Sequence, residues 1–301
     1  MFKDNYKMIQ EHNLNRDEHG YTMGMNKFGD LTLQEWRDLY VQPRSSKRQI
    51  IETQQEEVEE EIDQYFETSI TDQAIEDKKI PSKIDWRDRG MVNKVRDQGD
   101  GCKASYAFSA VSAIESAKGI FYKELGQLSE QQIIDCSGKF GNEGCTGGDP
   151  DNAYDYVHEN PLCSRSDYSY SGQDGRCYDW KCWTSHYVKA HEDVTPRSRF
   201  ALYTAIAKQP VSVSVSAGHD GWKFYKEGIM KTGCTGSIDH TVTAVGYSYE
   251  PWYWFWKDNY IIVKNSWGTE WGENGYIKIS SNAESGEGTC DSYEDNSYPM
   301  V

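Results

Sequence analysis

The apolar residues change their spacing once along this chain, and that change limits what the chain can fold into. Between Ser105 and Leu125, Ala107, Phe108, Val111, Ile114 and Ala117 recur near i, i+3, i+4, the spacing of a helix with one buried face. Further on, Val211, Val213 and Val215 alternate with Ser212, Ser214 and Ser216, the two-residue repeat of a strand with one buried face. The runs Thr241 to Tyr247, Tyr260 to Lys264 and Tyr276 to Ile279 are β-branched or aromatic and separated by turn residues, which predicts more strands. Ser129 followed by Gln132 is a capping-box signature for another helix through Ile134, and the Gly-rich residues 136–150 read as loop. A helical half followed by a strand-rich half predicts an α+β chain of two subdomains meeting at a cleft, with no internal repeat.

The part of the chain before Ile80 has a different character. Residues 1–20 are polar with helix-forming spacing, and Leu31 to Val41 predicts a second short helix after Asp30. From Gln42 to Lys79 the chain is glycine-free, charged and short of large aliphatics, as expected of a connector, and a boundary falls near Ile80 and Pro81. Of the net charge of -16, residues 51–80 carry -9, eleven acids against Lys78 and Lys79. That stretch, with Glu56, Glu57, Glu59, Glu60 and Glu61, reads either as a solvated linker or as a segment that binds a partner or cations.

Charge and composition also exclude some partners. An acidic chain is repelled by nucleic acid, and no run of about 18 apolar residues is present to cross a bilayer, so neither nucleic acid nor membrane is expected. Eight scattered cysteines without a C-x-x-C pair favour disulfides in an oxidising compartment over a zinc ribbon, and neither metal nor cofactor is expected. The chain does not open with a charged segment followed by an apolar one, so any secretory signal peptide is absent or already removed.

Residues 98–109, Gln-Gly-Asp-Gly-Cys-Lys-Ala-Ser-Tyr-Ala-Phe-Ser, carry the chemistry. Together with Asp239-His240-Thr241 and Lys264-Asn265-Ser266-Trp267-Gly268, they resemble the nucleophile, histidine and asparagine segments of the papain family, in a cathepsin L-like proform. His240 and then Asn265 follow Ser105 far downstream, in the family's order and spacing. Phe2, Asn5, Ile9 and Asn13 match the second half of the family's prosegment helix motif, whose front half is missing, and Gly24, Asn26, Phe28 and Asp30 match its G-x-N-x-F-x-D motif.

The resemblance implies a papain-like two-subdomain α+β fold, a helical left domain and a β-barrel-like right domain, preceded by an inhibitory helical propeptide. Residues 1–41 would be the propeptide inhibitor-like segment, 42–79 the acidic linker, 80–190 the helical subdomain and 191–301 the β-rich one. The chain's own propeptide would lie in the cleft, where a substrate would otherwise bind. His240 would act as base toward residue 105, Asn265 would orient the imidazole, and Trp267 would shield that hydrogen bond. Gln98 and the backbone N–H at residue 105 would bind the oxyanion, helped by the helix dipole at Ser105. Gly147 and Gly148 would hold substrate backbone, and Asp149, Pro150, Ser214, Ile238 and Asp295 would line the S2 pocket. Two acids there would favour a basic P2 side chain if they face the pocket, or remain solvent-facing loop carboxylates. The family's three disulfides would be Cys102–Cys145, Cys136–Cys177 and Cys234–Cys290, while Cys163 and Cys182 either close a fourth loop or stay free. The resemblance also implies a secreted or lysosomal/extracellular protein.

The chain departs from the pattern at the nucleophile. Where the family has cysteine it has Ser105, Lys103 replaces a glycine, Ala104 and Tyr106 replace the common Ser and Trp, and one residue is inserted between Gly99 and Cys102. A cysteine beside histidine can rest as a thiolate, whereas a hydroxyl must lose its proton during attack. Proteolysis is therefore expected to be weak or lost. The string Ala104-Ser-Tyr-Ala-Phe-Ser-Ala110 resembles the silicateins of sponge spicules, which implies a silicic substrate and silica condensation. The serine run many silicateins carry before the histidine is reduced here to Thr235-Gly-Ser237. A third reading is a non-catalytic peptide-binding or scaffold protein. Trp252, Trp254 and Trp256, in what reads as a hairpin loop, either pack over the barrel end or form an exposed patch for self-association. His219 reads as structural rather than as an alternative base.

Overall fold

The computed structural model describes residues 1–42, 73–75, 79–183, 186–234, 237–250, 258–283 and 286–301. The acidic connector from residue 43 to 72 and the tryptophans at 252, 254 and 256 lie outside the described residues. Nine strands are described: β1 Tyr21–Met23, β2 Lys83–Asp85, β3 Ala190–Asp193, β4 Val211–Val215, β5 Tyr225–Met230, β6 His240–Ser248, β7 Tyr260–Lys264, β8 Tyr276–Ser280 and β9 Asn296–Met300. They form one sheet in the order β1-β5-β8-β7-β6-β4-β9-β3, with β2 pairing β6 from outside that path. The helices Ser105–Tyr122 and Pro150–Glu159 lie between β2 and β3 and pack against the sheet, so the chain is mixed α+β.

The predicted central helix runs from Ser105 to Tyr122 and ends at Lys123, whose φ of 62° stops it. It is buried almost all round, because β6 crosses one side while the helices Glu130–Cys136 and Pro150–Glu159 cover the other. A core of Cys102 to Val188 side chains, among them Tyr106, Val111, Ile114, Ile133 and Tyr154, gives the region after residue 80 a core of its own. The capping-box expectation holds only in half. Ser129 accepts from the Gln132 N–H, but the Gln132 carboxamide donates to Tyr156 and Pro161 instead of returning to the cap.

The strand Val211–Val215 corrects the one-buried-face expectation, because all five residues are buried. β4 lies between β6 and β9, and the central helix covers its serine face. There the Ser109 hydroxyl donates to Ser212, which also meets the Tyr154 hydroxyl. The alternation marked a polar seam inside the core rather than a solvated face.

Beneath the cleft, Arg96 forms ion pairs with Glu115 at 2.7 Å and with Glu130, both carboxylates being 1% exposed. Removing the cation would leave the buried Glu115 without its ion pair and Glu130 with Arg165 alone, at 3.1 Å. Arg96→Met is expected to cost about 3–5 kcal/mol, measured as loss of unfolding free energy in denaturant. A loss below about 1 kcal/mol would mean that Arg165, already on Glu130, and Lys264, buried nearby, make up the lost charge.

Residues 1–42 add to this body rather than stand apart from it. The helix Phe2–Leu14 leads to β1, which extends the sheet by pairing with β5. Asn5 donates to the Gly29 and Leu31 carbonyls, and Asn13 pairs with both backbone groups of Met23. The second predicted helix forms as Leu33–Tyr40 with a full capping box between Thr32 and Glu35. Its Trp36 and the preceding Phe28 are fully buried.

Candidate active site

Ser105 opens the central helix, which aims the helix's first N–H groups and positive end at the cleft. His240 opens β6 and Asn265 follows β7, so adjacent strands bring the two side chains together. The His240 Nε2 and Asn265 Oδ1 are 2.8 Å apart. The same oxygen accepts the Ser266 N–H at 2.8 Å, and a backbone N–H can only donate. Asn265 must therefore present oxygen to the imidazole, Nε2 must carry the proton, and Nδ1 holds the lone pair. That is the tautomer a base needs.

Ser105 is 1% exposed and its Oγ accepts the Thr241 N–H at 3.3 Å. His240 Nδ1 is buried and makes no hydrogen bond among the described residues. The imidazole is thus held, while the hydroxyl leans on the next backbone N–H rather than on the imidazole.

Trp267 stacks on His240, ring centroids 4.6 Å apart, and covers the side where water would reach the Asn265 bond. Burial lowers the His240 pKa to about 4, and the bond to Asn265 offsets only part of that. Asp239 moves the other way, up to about 6 by burial, against the Ala217 and Gly218 N–H groups and the Arg37 charge, which favour its ionised form. The signs oppose. His240, depressed, contributes stability above its unfolded value of about 6.5 that is lost as pH falls toward 4; Asp239, raised, contributes at low pH and loses it as pH rises through 6. In the intact chain the His240 imidazole is expected to titrate near 4 by NMR, and to rise toward 6.5 once residues 1–42 are displaced. A value near 6.5 in the intact chain would mean that the ring is hydrated.

Residues 37–42 fill the cleft, as the resemblance implied for the chain's own propeptide, with Gln42 one residue beyond the expected segment. The Gln98 carboxamide donates to the Tyr40 carbonyl at 3.3 Å and to Cys102 at 3.0 Å, while its oxygen accepts from Ser266. The group expected to hold an oxyanion thus holds a prosegment carbonyl. Gln42, assigned to the connector, instead pairs with Gly148: its Oε1 accepts the Gly148 N–H at 3.0 Å and its Nε2 donates to the Gly148 carbonyl at 3.1 Å. Its own N–H reaches the Asp239 carbonyl. Gly147, with φ of 147°, has a backbone conformation that residues bearing a Cβ rarely adopt, and the Gln42 carboxamide lies against it. Trp36 lies 5.3 Å edge-on to Trp267, and Phe28 and Tyr40 also meet that ring edge-on, closing the site from outside.

The other expected residues are placed as follows. Asp149 caps the helix Pro150–Glu159 by accepting the Asp151 N–H, so its carboxylate serves that helix. Ser214 donates its N–H to the Asp295 carbonyl, and Ile238 is half-buried. His219 caps the short helix Asp220–Lys223 through Nδ1, which accepts the Gly221 N–H. All four disulfides form, including Cys163–Cys182. Asp151, His191 and Asp193 bring possible ligand atoms within 4.8 Å of one another; none belongs to the Ser105 site. Among the described residues no helix is long and apolar enough to cross a membrane.

The family model described as "Papain family cysteine protease" matches residues 80–300. This chain belongs to the papain family. Residues 1–36 match the "Cathepsin propeptide inhibitor domain (I29)", in agreement with the segment seen over the cleft. Germination-specific cysteine protease 1 of Arabidopsis thaliana is 37% identical over 303 residues, covering all of this chain and 76% of that protein. A probable cysteine protease RD21B of the same plant is 36% identical over all of this chain, which spans 60% of the relative's length. The crystallised proform of the ragweed pollen cysteine protease Amb a 11 superposes with a TM-score of 0.82 at 32% identity, covering 100% of this chain and 87% of that one. The fold is papain-like, mixed α+β and preceded by its propeptide inhibitor segment.

Proposed function

We propose that the chain is the proform of a papain-fold hydrolase that binds peptides in the Gln98–His240 cleft and cleaves them slowly, with Ser105 as nucleophile and His240 as general base. The observation that carries this reading is the fixed tautomer: Asn265 holds Nε2–H and leaves the lone pair on Nδ1. A neutral base suits a hydroxyl, which needs its proton removed during attack. The Ser105 hydroxyl turns from the Thr241 N–H toward Nδ1 before attack, and attack is slow because a hydroxyl, unlike a thiol, gives up its proton only during attack. Gln98 and the Ser105 N–H then stabilise the oxyanion, and Gly148 pairs with substrate backbone as it now pairs with Gln42. Four disulfides support a secreted or lysosomal location.

Two other readings share this cleft: condensation of silicic species by the same serine, and peptide binding without turnover. The test separates all three. Chain folded intact, cut between residues 51 and 70 and freed of its prosegment, is assayed on fluorogenic peptides and on a silicon alkoxide beside Ser105→Ala. Peptide turnover that vanishes in Ser105→Ala supports the proposal. Alkoxide turnover alone replaces it with the silicatein-like reading, and peptide binding with no turnover replaces it with the binding protein.

A further inference from the structure

In the closed chain two carboxylates flanking Gln98 are each held by a prosegment side chain. Lys27 Nζ lies 2.5 Å from Asp97 Oδ2, and the Tyr40 hydroxyl donates to Asp100. Both acids are exposed even with the prosegment in place. Asp100 belongs to the stretch that is one residue longer than the family pattern, and the neighbouring Gly101 N–H holds the Leu39 carbonyl at 3.2 Å. The Tyr40 ring meets Trp267 edge-on at 6.3 Å, and the Lys27 ammonium lies 5.6 Å from the Tyr40 ring centroid. A cation and a phenol thus already occupy this place, against an aromatic wall and beside the oxyanion donor.

When the prosegment leaves, both partners leave with it. Among the described residues Asp97 then keeps the Gly99 N–H on its other oxygen, at 2.9 Å, and Arg96, next in sequence, is committed to Glu115 and Glu130. We propose that Asp97 and Asp100 form a specificity subsite for a basic side chain, arginine above lysine, on the peptide residue next to the bond at Gln98. Two carboxylates favour a cation over the neutral phenol, and a guanidinium can also lie against Trp267. This inference rests on the reading of the cleft as a peptide site.

The test needs no turnover. The chain, folded intact, cut between residues 51 and 70 and freed of its prosegment, is titrated with peptides identical except for Arg, Leu or Glu at either position flanking the bond at Gln98. At one of these positions Arg should bind about 5-fold tighter than Leu at low ionic strength, and Glu weaker than Leu, since exposed pairs are modest. The preference should shrink in high salt and disappear in Asp97→Asn/Asp100→Asn. Equal binding of Arg, Leu and Glu overturns the subsite and leaves the peptide cleft standing, as does an Arg preference that survives the double substitution. No binding of any peptide overturns the cleft reading and the subsite with it.

Discussion

Ser105→Cys is expected to raise kcat/KM on peptides at least about 10²-fold over the parent, once the prosegment has been removed. In the parent Asn265 fixes the imidazole lone pair on Nδ1, and a hydroxyl gives up its proton only in the transition state. A thiol begins near a pKa of about 8.5 and falls steeply beside an imidazole and a helix N-terminus, so much of it would rest as thiolate at neutral pH. The oxyanion donor and the Asn265 bond are unchanged by the substitution. The His240 pKa should rise at the same time, because a neighbouring anion favours the imidazolium. A Ser105→Cys chain as slow as the parent would place the fault elsewhere in the cleft, with Lys103 in the family's glycine position the first residue to revert.

Trp36→Ala is expected to release the prosegment. The ring is fully buried, edge-on to Trp267 at 5.3 Å and 6.1 Å from Phe28, so truncation empties the centre of the contact that closes the site. Large-to-small changes of this kind cost about 3–5 kcal/mol, which corresponds to roughly 10²- to 4 × 10³-fold weaker closure. Hydrogen exchange at the β1 and Gln42 amides should accelerate by that factor, while the β4 amides stay protected. Leu14→Ala, 84% exposed, should change neither. Uniform acceleration in β4 as well would mean that the prosegment and body unfold as one unit.

The helices, the strands and the segments that carry Ser105, His240 and Asn265 were legible because each rests on local signals. Helical spacing after Ser105, alternation from Val211 and the motifs around His240 and Asn265 are patterns within short windows. What was not legible depends on contacts between distant segments. Ser212 looked solvated because a serine face on a strand usually is, and only the Ser109 and Tyr154 hydroxyls make it a core seam. Gln42 looked like the start of the connector, and nothing in its neighbours signals that its carboxamide imitates a peptide against Gly148. Asp100 was visible as an insertion, but its partner Tyr40 lies far earlier in the chain. The position of the hydroxyl, on Thr241 rather than on Nδ1, is a matter of a single torsion that residue types do not encode.

The central claim is that Ser105 is a working, if slow, nucleophile served by His240. Its most direct test is intact-mass spectrometry of the parent, cut between residues 51 and 70 and freed of its prosegment, quenched in acid during reaction with a peptide activated ester. The account predicts an acyl adduct that maps to Ser105, formed faster as His240 becomes neutral and absent from both Ser105→Ala and His240→Ala. An unmodified parent beside a fully acylated Ser105→Cys would contradict it, leaving an intact cleft whose serine does no chemistry.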